Sequence, residues 1–425
     1  MAIGLSQRVR EALAAERSAD LLLDRIHSRL PKVLAAAATA SAYDQAALLS
    51  LLEHAGSVDR PGRDEPVDLA ARNLLNQVSV LRKEKIRNSL HRLVAGDPGP
   101  VDVRVTSGTS GLPTQLARPR DAVVERAAID RRLYSSIGLP SFFELTVLTP
   151  WRGSSGRRHT LYDWRIGYRV LSLDDIGRLP RDGLVVTSPR ICRTLIQDGL
   201  VNRNRLASAW EVSEPTRGLL EGRAGAQAEA PYELYVAAEL TAPVAFRPAG
   251  CSFLHINVDA VLVEVISSTS GQPQKSGVVG HLVVTDLLNT ATPFVRYELG
   301  DLGAVIYGRC DCGRITPRLK LLGRAGPFES QAARLLQDER LRKRGIVIEC
   351  GDASALLMTD DWPVNRDEVA GRVVQPIPTE LRGLLPLGTA ISIRDRFPPE
   401  VWAHRGVAEV TASQGDAPYL LGNRR

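Results

Sequence analysis

The sequence predicts an α/β protein: a large multi-layer N-terminal domain, part α/β sheet and part β-rich and barrel-like, followed by a small α+β C-terminal domain. Three observations carry this: a helical run over residues 5–95, an alternation of helix and strand patterns after it, and a strand-rich stretch from Pro231 to Ile306. The 425 residues exceed one domain of roughly 100–200 residues. With 44% hydrophobic and 24% charged residues, the composition requires a buried core and excludes a chain that is mostly disordered or fibrous.

The elements follow in order. Leu22, Ile26 and Leu30, then Leu48, Leu51, Leu52 and Ala55, recur at helical spacing, so residues 1–95 are expected to be mainly helical. Turn residues cluster at Asp97-Pro98-Gly99-Pro100, and the next residues, Val101 to Val105, place valine at every second position, as a strand does. A helix is expected from about Arg120 to Ile137, strands near Leu145–Leu148 and Gly183–Thr187, and a helix from Pro189 to about Leu200. Helices alternating with strands make layers on a sheet. Apolar runs at Val261–Ile266, Gly280–Thr285 and Gly303–Ile306 predict a mostly antiparallel portion. At Gly323-Arg324-Ala325-Gly326-Pro327 the pattern breaks and restarts, so the expected domains are 1–323 and 324–425.

Net charge is +6, but the basic residues are interspersed with acidic ones, without a basic stripe carrying aromatics, so no nucleic-acid partner is expected. Five cysteines are too few and too unevenly spaced for a disulfide framework, which points to a reducing compartment. The N-terminus has no apolar core of signal type, and the run Val33–Ala40 is far shorter than the ~20 residues that cross a bilayer. The expectation is a soluble cytoplasmic protein with no membrane partner; a homodimer is compatible with it.

Directly after the Val101–Val105 strand comes Thr106-Ser107-Gly108-Thr109-Ser110-Gly111-Leu112-Pro113-Thr114. Glycines let backbone N–H groups converge on an anion, and hydroxyls add contacts to phosphate or metal. On this segment alone a phosphate cradle and a Ser/Gly linker fit equally. It matches neither the Gly-x-x-x-x-Gly-Lys loop nor the dinucleotide fingerprint.

Downstream stand Tyr235-Val236-Ala237-Ala238-Glu239, Arg296-Tyr297-Glu298-Leu299-Gly300-Asp301 and the pair Gly323-Arg324. Together with the loop, this ordered set resembles the adenylate-forming superfamily of acyl-CoA ligases and adenylation domains, most closely its phenylacetate-CoA ligase-like branch. Val80–Glu84, Trp210–Pro215 and Gly280–Thr285 look like the same branch, so the resemblance runs over residues 75–325.

The resemblance implies an ATP-dependent ligase. It would activate a carboxylic acid, by branch an aryl acid, as acyl-AMP and transfer the acyl group to CoA or to an acyl carrier protein thiol. Ser107, Gly108, Thr109, Ser110 and Gly111 would hold phosphates. Glu239, with Thr109, would bind Mg2+ as the catalytic pair, Asp301 would take the ribose hydroxyls, and Arg324 would contact ribose or phosphate. Tyr235 would stack on adenine or wall the acid pocket, or is an ordinary core residue. Taken singly, Asp301 reads as a turn residue after Gly300 and Glu239 as a solvated strand end.

Cys251-x-x-x-His255 and Cys310-Asp311-Cys312 supply three thiolates and one imidazole, the donor set of a closed structural Zn2+ site, and the branch often carries cysteines here. Buried free thiols beside a surface histidine are the plain alternative. Cys192 and Cys350 read as core, and His159 as part of a polar loop.

The chain also departs from the pattern. Leu112 and Thr114 stand where relatives carry the loop lysine, Ala325 follows Gly323-Arg324 in place of Asp, and no lysine follows Lys343. The family's C-terminal lysine thus has no counterpart, and arginine is not equivalent to it. Two further readings follow: a non-catalytic nucleotide- or acid-binding homologue, and adenylation coupled to amide or N–N bond formation.

Overall fold

The computed structural model describes residues 2–15, 18–55, 65–82, 90–105, 115–136, 145–149, 156–159, 167–181, 183–188, 191–192, 195–196, 198–201, 206–209, 232–248, 251–267 and 270–324, and strand segments within 346–420. Ser107, Gly108, Thr109, Ser110 and Gly111, the stretch Trp210–Pro215 and Lys343 lie outside them.

Helices α1 (Ala2–Ala15), α2 (Ala19–Ala38), α3 (Gln45–Ala55) and α4 (Leu69–Leu75) precede the first strand. Ser18 caps α2 by accepting a hydrogen bond from the Leu21 N–H at 3.3 Å, and Asp20 sits favourably in the first turn. Leu22, Ile26, Leu30, Val33, Leu34 and Ala37 of α2 are all buried, the stripe that the spacing predicts. The lower part of this stripe packs with Leu48 and Leu51 of α3 against Leu262, Leu287 and Val295 of the sheet region.

Strands β1 (Val101–Val105) and β2 (Gln115–Pro119) form an antiparallel hairpin, in register from Val101 opposite Pro119 to Val105 opposite Gln115. Residues 106–114 are the segment this hairpin joins. Helix α5 (Arg120–Ser136) follows.

The remaining strands up to residue 324 build one twelve-stranded sheet. Its first half contains β3 (Leu145–Thr149), β4 (Gly156–His159), β5 (Gly167–Ser172), β6 (Leu184–Thr187), β7 (Leu206–Ala209) and β8 (Tyr232–Tyr235). In it β5, β3, β6, β7 and β8 lie side by side and parallel, with β4 antiparallel on the outer edge. Every residue of β6 is buried, as expected for a parallel strand covered on both faces.

The second half is antiparallel: β9 (Ala245–Arg247), β10 (Leu254–Ile256), β11 (Val261–Ile266), β12 (Gly280–Asp286), β13 (Tyr297–Ile306) and β14 (Arg318–Arg324). It continues from β8 in the order β9, β10, β14, β13, β12, β11. The fold is therefore mixed α/β with a β-rich half, as the sequence predicts.

The stretch ending at His159, read from sequence as a polar loop, closes in strand β4; a glycine, two arginines and a histidine in a short edge strand carry no apolar alternation to betray it. Within 346–420, β15 (Ile346–Cys350), β16 (Ala353–Leu357), β17 (Ala390–Ser392), β18 (Ala408–Gln414) and β19 (Ala417–Leu420) form a separate antiparallel sheet. No helix among the described residues is long and apolar enough to cross a membrane.

A buried ion cluster ties the helices to the sheet. Arg132 of α5, 1% exposed, donates to both oxygens of Asp259 at 2.9 and 3.1 Å and to Asn257 Oδ1 at 2.9 Å. From α2, Arg25 donates to the Asp259 carboxylate and Arg29 to its backbone carbonyl. Burial alone would raise the Asp259 pKa, but Arg132 and Arg29 outweigh it and hold it at about 2. That lies below the ~3.9 of an unfolded aspartate, so the stability this carboxylate contributes is present above about pH 4 and is lost as pH falls through about 2. Asp259→Asn strands the arginines without their counter-ion and is expected to cost about 3–5 kcal/mol in urea unfolding at pH 7, with a much smaller difference from wild type near pH 2.

Candidate active site and metal cluster

Tyr235 is the last residue of β8, and the chain then turns through Val236, Ala237, Ala238 and Glu239 before Leu240 re-enters the core. Because β6, β7 and β8 are parallel, this turn lies beyond the carboxyl ends of the strands, where open α/β sheets bind ligands. The Tyr235 hydroxyl donates to Asp301 Oδ2 at 2.6 Å, with both residues buried. Reciprocally, the Tyr297 hydroxyl donates to Glu239 Oε1 at 3.3 Å.

The pairing is crossed: the tyrosine near Glu239 in sequence holds Asp301, and the tyrosine near Asp301 holds Glu239. Three strands, β9, β10 and β14, intervene between β8 and β13 in the sheet. Laid flat, such a span measures roughly 19 Å at ~4.8 Å per strand step. A Tyr and an Asp side chain together fall short of it, so contact requires the sheet to curl; the strand order itself is that of an open sheet, not of a closed barrel.

Local backbone geometry explains the Arg296–Asp301 motif. Gly300 has φ +79°, a conformation open to glycine, immediately before Asp301. Arg296, at φ +48°, is left-handed without being glycine, and such strain persists only when the surroundings fix it. Here Arg296 is 4% exposed, bonds the Glu264 carboxylate through Nε at 3.1 Å and Nη2 at 2.9 Å, and donates through Nη1 to the carbonyls of Asn76 and Val78. The guanidinium thereby fixes the chain just ahead of Tyr297. Phe294 packs on the Tyr297 ring with centroids 4.8 Å apart.

Asp301 stands opposite Arg324 in the β13–β14 register; the Arg324 side chain lies outside the described residues. Glu239 occupies a partly buried turn joined to Tyr297, and Asp301 is within a strand, so neither takes the simple surface role each has when read alone. Sequence reasoning missed the Tyr297 hydroxyl, the Glu264 partner of Arg296, and Arg118, which binds the carbonyls on either side of Glu239. Tyr297 lay inside a recognised motif; Arg118 had no signal, being about 120 residues from the turn it contacts.

The second constellation also assembles. One ligand atom from each of Cys251, His255, Cys310 and Cys312 falls within 4.8 Å of the others. Cys251 Sγ is 3.6 Å from Cys310 Sγ and 3.4 Å from His255 Nε2, which is 3.4 Å from Cys312 Sγ. Ligands ~2.3 Å (sulfur) and ~2.0 Å (nitrogen) from one tetrahedral ion stand about this far apart, so the set fits a closed site. Thr316 Oγ1 lies 3.0 Å from His255 Nδ1 and orients the ring, leaving Nε2 toward the thiols. Burial, reinforced by Arg314 and Arg318, lowers the His255 pKa to about 4, which keeps the imidazole neutral as a metal ligand must be. Burial pushes Cys251 up to about 12; it opposes the Cys312 thiolate too, yet hydrogen bonds from Arg314 and the neighbouring cysteines bring Cys312 below the usual thiol value. Cys192 is fully buried away from this group, as expected.

Among solved structures, 2-hydroxyisobutyryl-CoA ligase in its postadenylation state, bound to R3-HIB-AMP, superimposes with TM-score 0.54 at 18% identity over 77% of this chain and 74% of that one. An open conformation of the same ligase with 2-HIB-AMP and CoA gives TM-score 0.52 at 19% identity, over 74% and 80%. The fold is that of 2-hydroxyisobutyryl-CoA ligase. Among curated proteins, phenylacetate-coenzyme A ligase of Thermus thermophilus is 44% identical over 71 residues, 16% of each chain. The match therefore spans about a sixth of that relative's length. No family model matches the chain.

Removing one phenol tests the crossed pairing without reference to activity. Tyr235→Phe deletes a buried hydrogen bond to a carboxylate and is expected to lower stability by about 1.5–3 kcal/mol in urea unfolding, whereas an equal midpoint for variant and wild type would refute the contact.

Proposed function

We propose that the protein is an adenylate-forming ligase that activates a carboxylic acid with ATP. The observation that carries this reading is the crossed Tyr235–Asp301 and Tyr297–Glu239 pairing beyond the carboxyl ends of the parallel strands. It ties each carboxylate to the other's segment, and Arg118 ties the Glu239 turn to the hairpin that flanks residues 106–114. In this reading Asp301 accepts hydrogen bonds from the ribose hydroxyls, Glu239 with Thr109 holds Mg2+, and Ser107 to Gly111 surround the phosphates. Arg324, opposite Asp301, contacts ribose or phosphate.

A hard divalent cation held by carboxylate and hydroxyl oxygens would neutralise phosphate charge. The substrate carboxylate attacks the α-phosphorus, the new C–O–P link forms, and the bond to the β-phosphate breaks to release pyrophosphate. A thiolate of CoA or of a carrier protein then attacks the acyl carbon and AMP departs with the bonding electron pair. An aryl acid is favoured by the partial likeness to phenylacetate-coenzyme A ligase. We propose the domain division near 323/324; the last strand of the large sheet runs one residue past it to Arg324, and the strands of the small sheet begin at Ile346.

One sequence fact favours a second reading. Residues 344–425 contain no lysine, so they hold no match for the C-terminal lysine that the resemblance implies, and a nucleotide-binding homologue without turnover fits this departure. Pyrophosphate exchange into ATP separates the two. An adenylating enzyme gives exchange with at least one acid of an aryl and alkyl panel, and Glu239→Gln lowers it about a hundredfold or more. ATP binding without exchange across the panel selects the binding protein, and absence of ATP binding rejects both.

The Cys251, His255, Cys310 and Cys312 set is read as a structural zinc site. Cys251 and His255 flank or lie in β10, while Cys310 and Cys312 sit in the turn between β13 and β14, so an ion there would fasten that turn to its neighbour strand. Purified protein is expected to hold one zinc by elemental analysis. Cys312→Ser or strong chelation is expected to remove it and lower Tm, and zinc-free protein with an unchanged Tm would reject the site.

A further inference from the structure

We infer that Arg118 is a positioning residue that locks the Glu239 turn to the base of the β1–β2 hairpin, so that metal ligand and phosphate-loop hairpin keep one alignment. This rests on the reading that Glu239 holds the Mg2+ of MgATP.

Arg118 lies three residues after Gln115, where the hairpin pairing with Val105 begins. Its guanidinium Nη2 donates to the carbonyls of Ala238 at 3.0 Å and Leu240 at 2.7 Å, the residues on either side of Glu239. Both contacts come from one planar Nη2 amino group, and the peptide planes it holds, 238–239 and 240–241, bracket the Cα atoms of Glu239 and Leu240; a lysine ammonium with its freely rotating donors imposes no such plane. The preceding residue of the same strand provides a second tether: the Ala117 N–H donates to Thr292 Oγ1 at 3.2 Å. Thr292 belongs to the loop that runs into Tyr297, the residue whose hydroxyl reaches Glu239. β2 thus grips the Glu239 turn from the backbone side and the Tyr297 approach from the other.

The far end of the turn is held independently. Arg126 of α5 donates to the Thr241 carbonyl at 2.7 Å, and Asp286 Oδ2 accepts the Thr241 N–H at 2.7 Å. With that end fixed by Arg126 and Asp286, loss of Arg118 frees only the part of the turn that carries Glu239. The fold of the turn is expected to survive, while the aim of its carboxylate does not.

The test is calorimetric titration of the full chain with ATP, in Mg2+ and in EDTA, for wild type, Glu239→Gln, Arg118→Lys and Arg118→Gln. Wild type is expected to bind ATP more tightly in Mg2+, and Glu239→Gln to abolish that gain. In Arg118→Lys the affinity in EDTA is expected to match wild type, while the Mg2+-dependent gain falls about tenfold, the usual size of an effect on a metal transmitted through a supporting residue. A merely structural residue would change both titrations together. If both Arg118 variants keep the full Mg2+-dependent gain, or if both fail to fold by circular dichroism, the positioning role is overturned while the Glu239 assignment stands. If wild type binds ATP equally in Mg2+ and EDTA, the underlying reading of Glu239 falls first, and this inference with it.

Discussion

The crossed tyrosine–carboxylate pairing is the interaction on which the site depends. Glu239 and Asp301 belong to segments separated by three strands of one sheet, and each is held by a phenol from the other's segment. Neither contact forms unless the sheet curls between β8 and β13, and β8 is where the pairing changes from parallel to antiparallel. That strand runs parallel to β7 on one side and antiparallel to β9 on the other. Beneath Tyr235, the buried Glu233–Arg247 ion pair joins β8 to β9 across this junction. A buried charge pair of this kind adds little net stability, but it penalises any register that would leave one charge unpaired.

Around this centre the structure uses arginine where backbone must be held at a distance in sequence. Arg296 gathers the Asn76 and Val78 carbonyls and the Glu264 carboxylate. Arg118 and Arg126 bind carbonyls of the Glu239 turn, and Arg132 joins α5 to Asp259 and Asn257. A planar guanidinium with five donors satisfies several acceptors at once and stays charged when buried. The low lysine content of the chain, six in 425 residues, thus has a structural counterpart: its internal cations are arginines acting as rigid multidentate donors. The candidate zinc cluster lies past the carboxyl end of β13, where the turn to β14 meets β10.

Much of the fold was legible where periodicity was long or turn chemistry strong. The α2 stripe of Leu22, Ile26 and Leu30, the valine alternation of β1 and the apolar run of β11 matched their predicted elements. Three-residue strands such as β9 and β10 were not legible, because such a short segment carries no period to count. Among the candidate site residues, Tyr235, Glu239 and Asp301 were singled out through motif order, and the three cysteines with His255 through donor chemistry. Arg118 and Glu264 were not, because a hydrogen bond across 120 residues or an ion pair across 32 leaves no local pattern.

By itself, then, the sequence singled out the candidate residues and the local features that accompany them: Gly300 at a left-handed position, hydroxyls and glycines close together in sequence, thiols in a Cys-x-Cys turn. Those choices are local, since they depend on φ and ψ, side-chain donors and short spacings. Tertiary structure alone decided that Tyr235 serves Asp301 and Tyr297 serves Glu239, and that His255 meets Cys310 and Cys312. Such pairings follow from strand order and sheet curvature, and these arise only when the whole apolar surface is buried together.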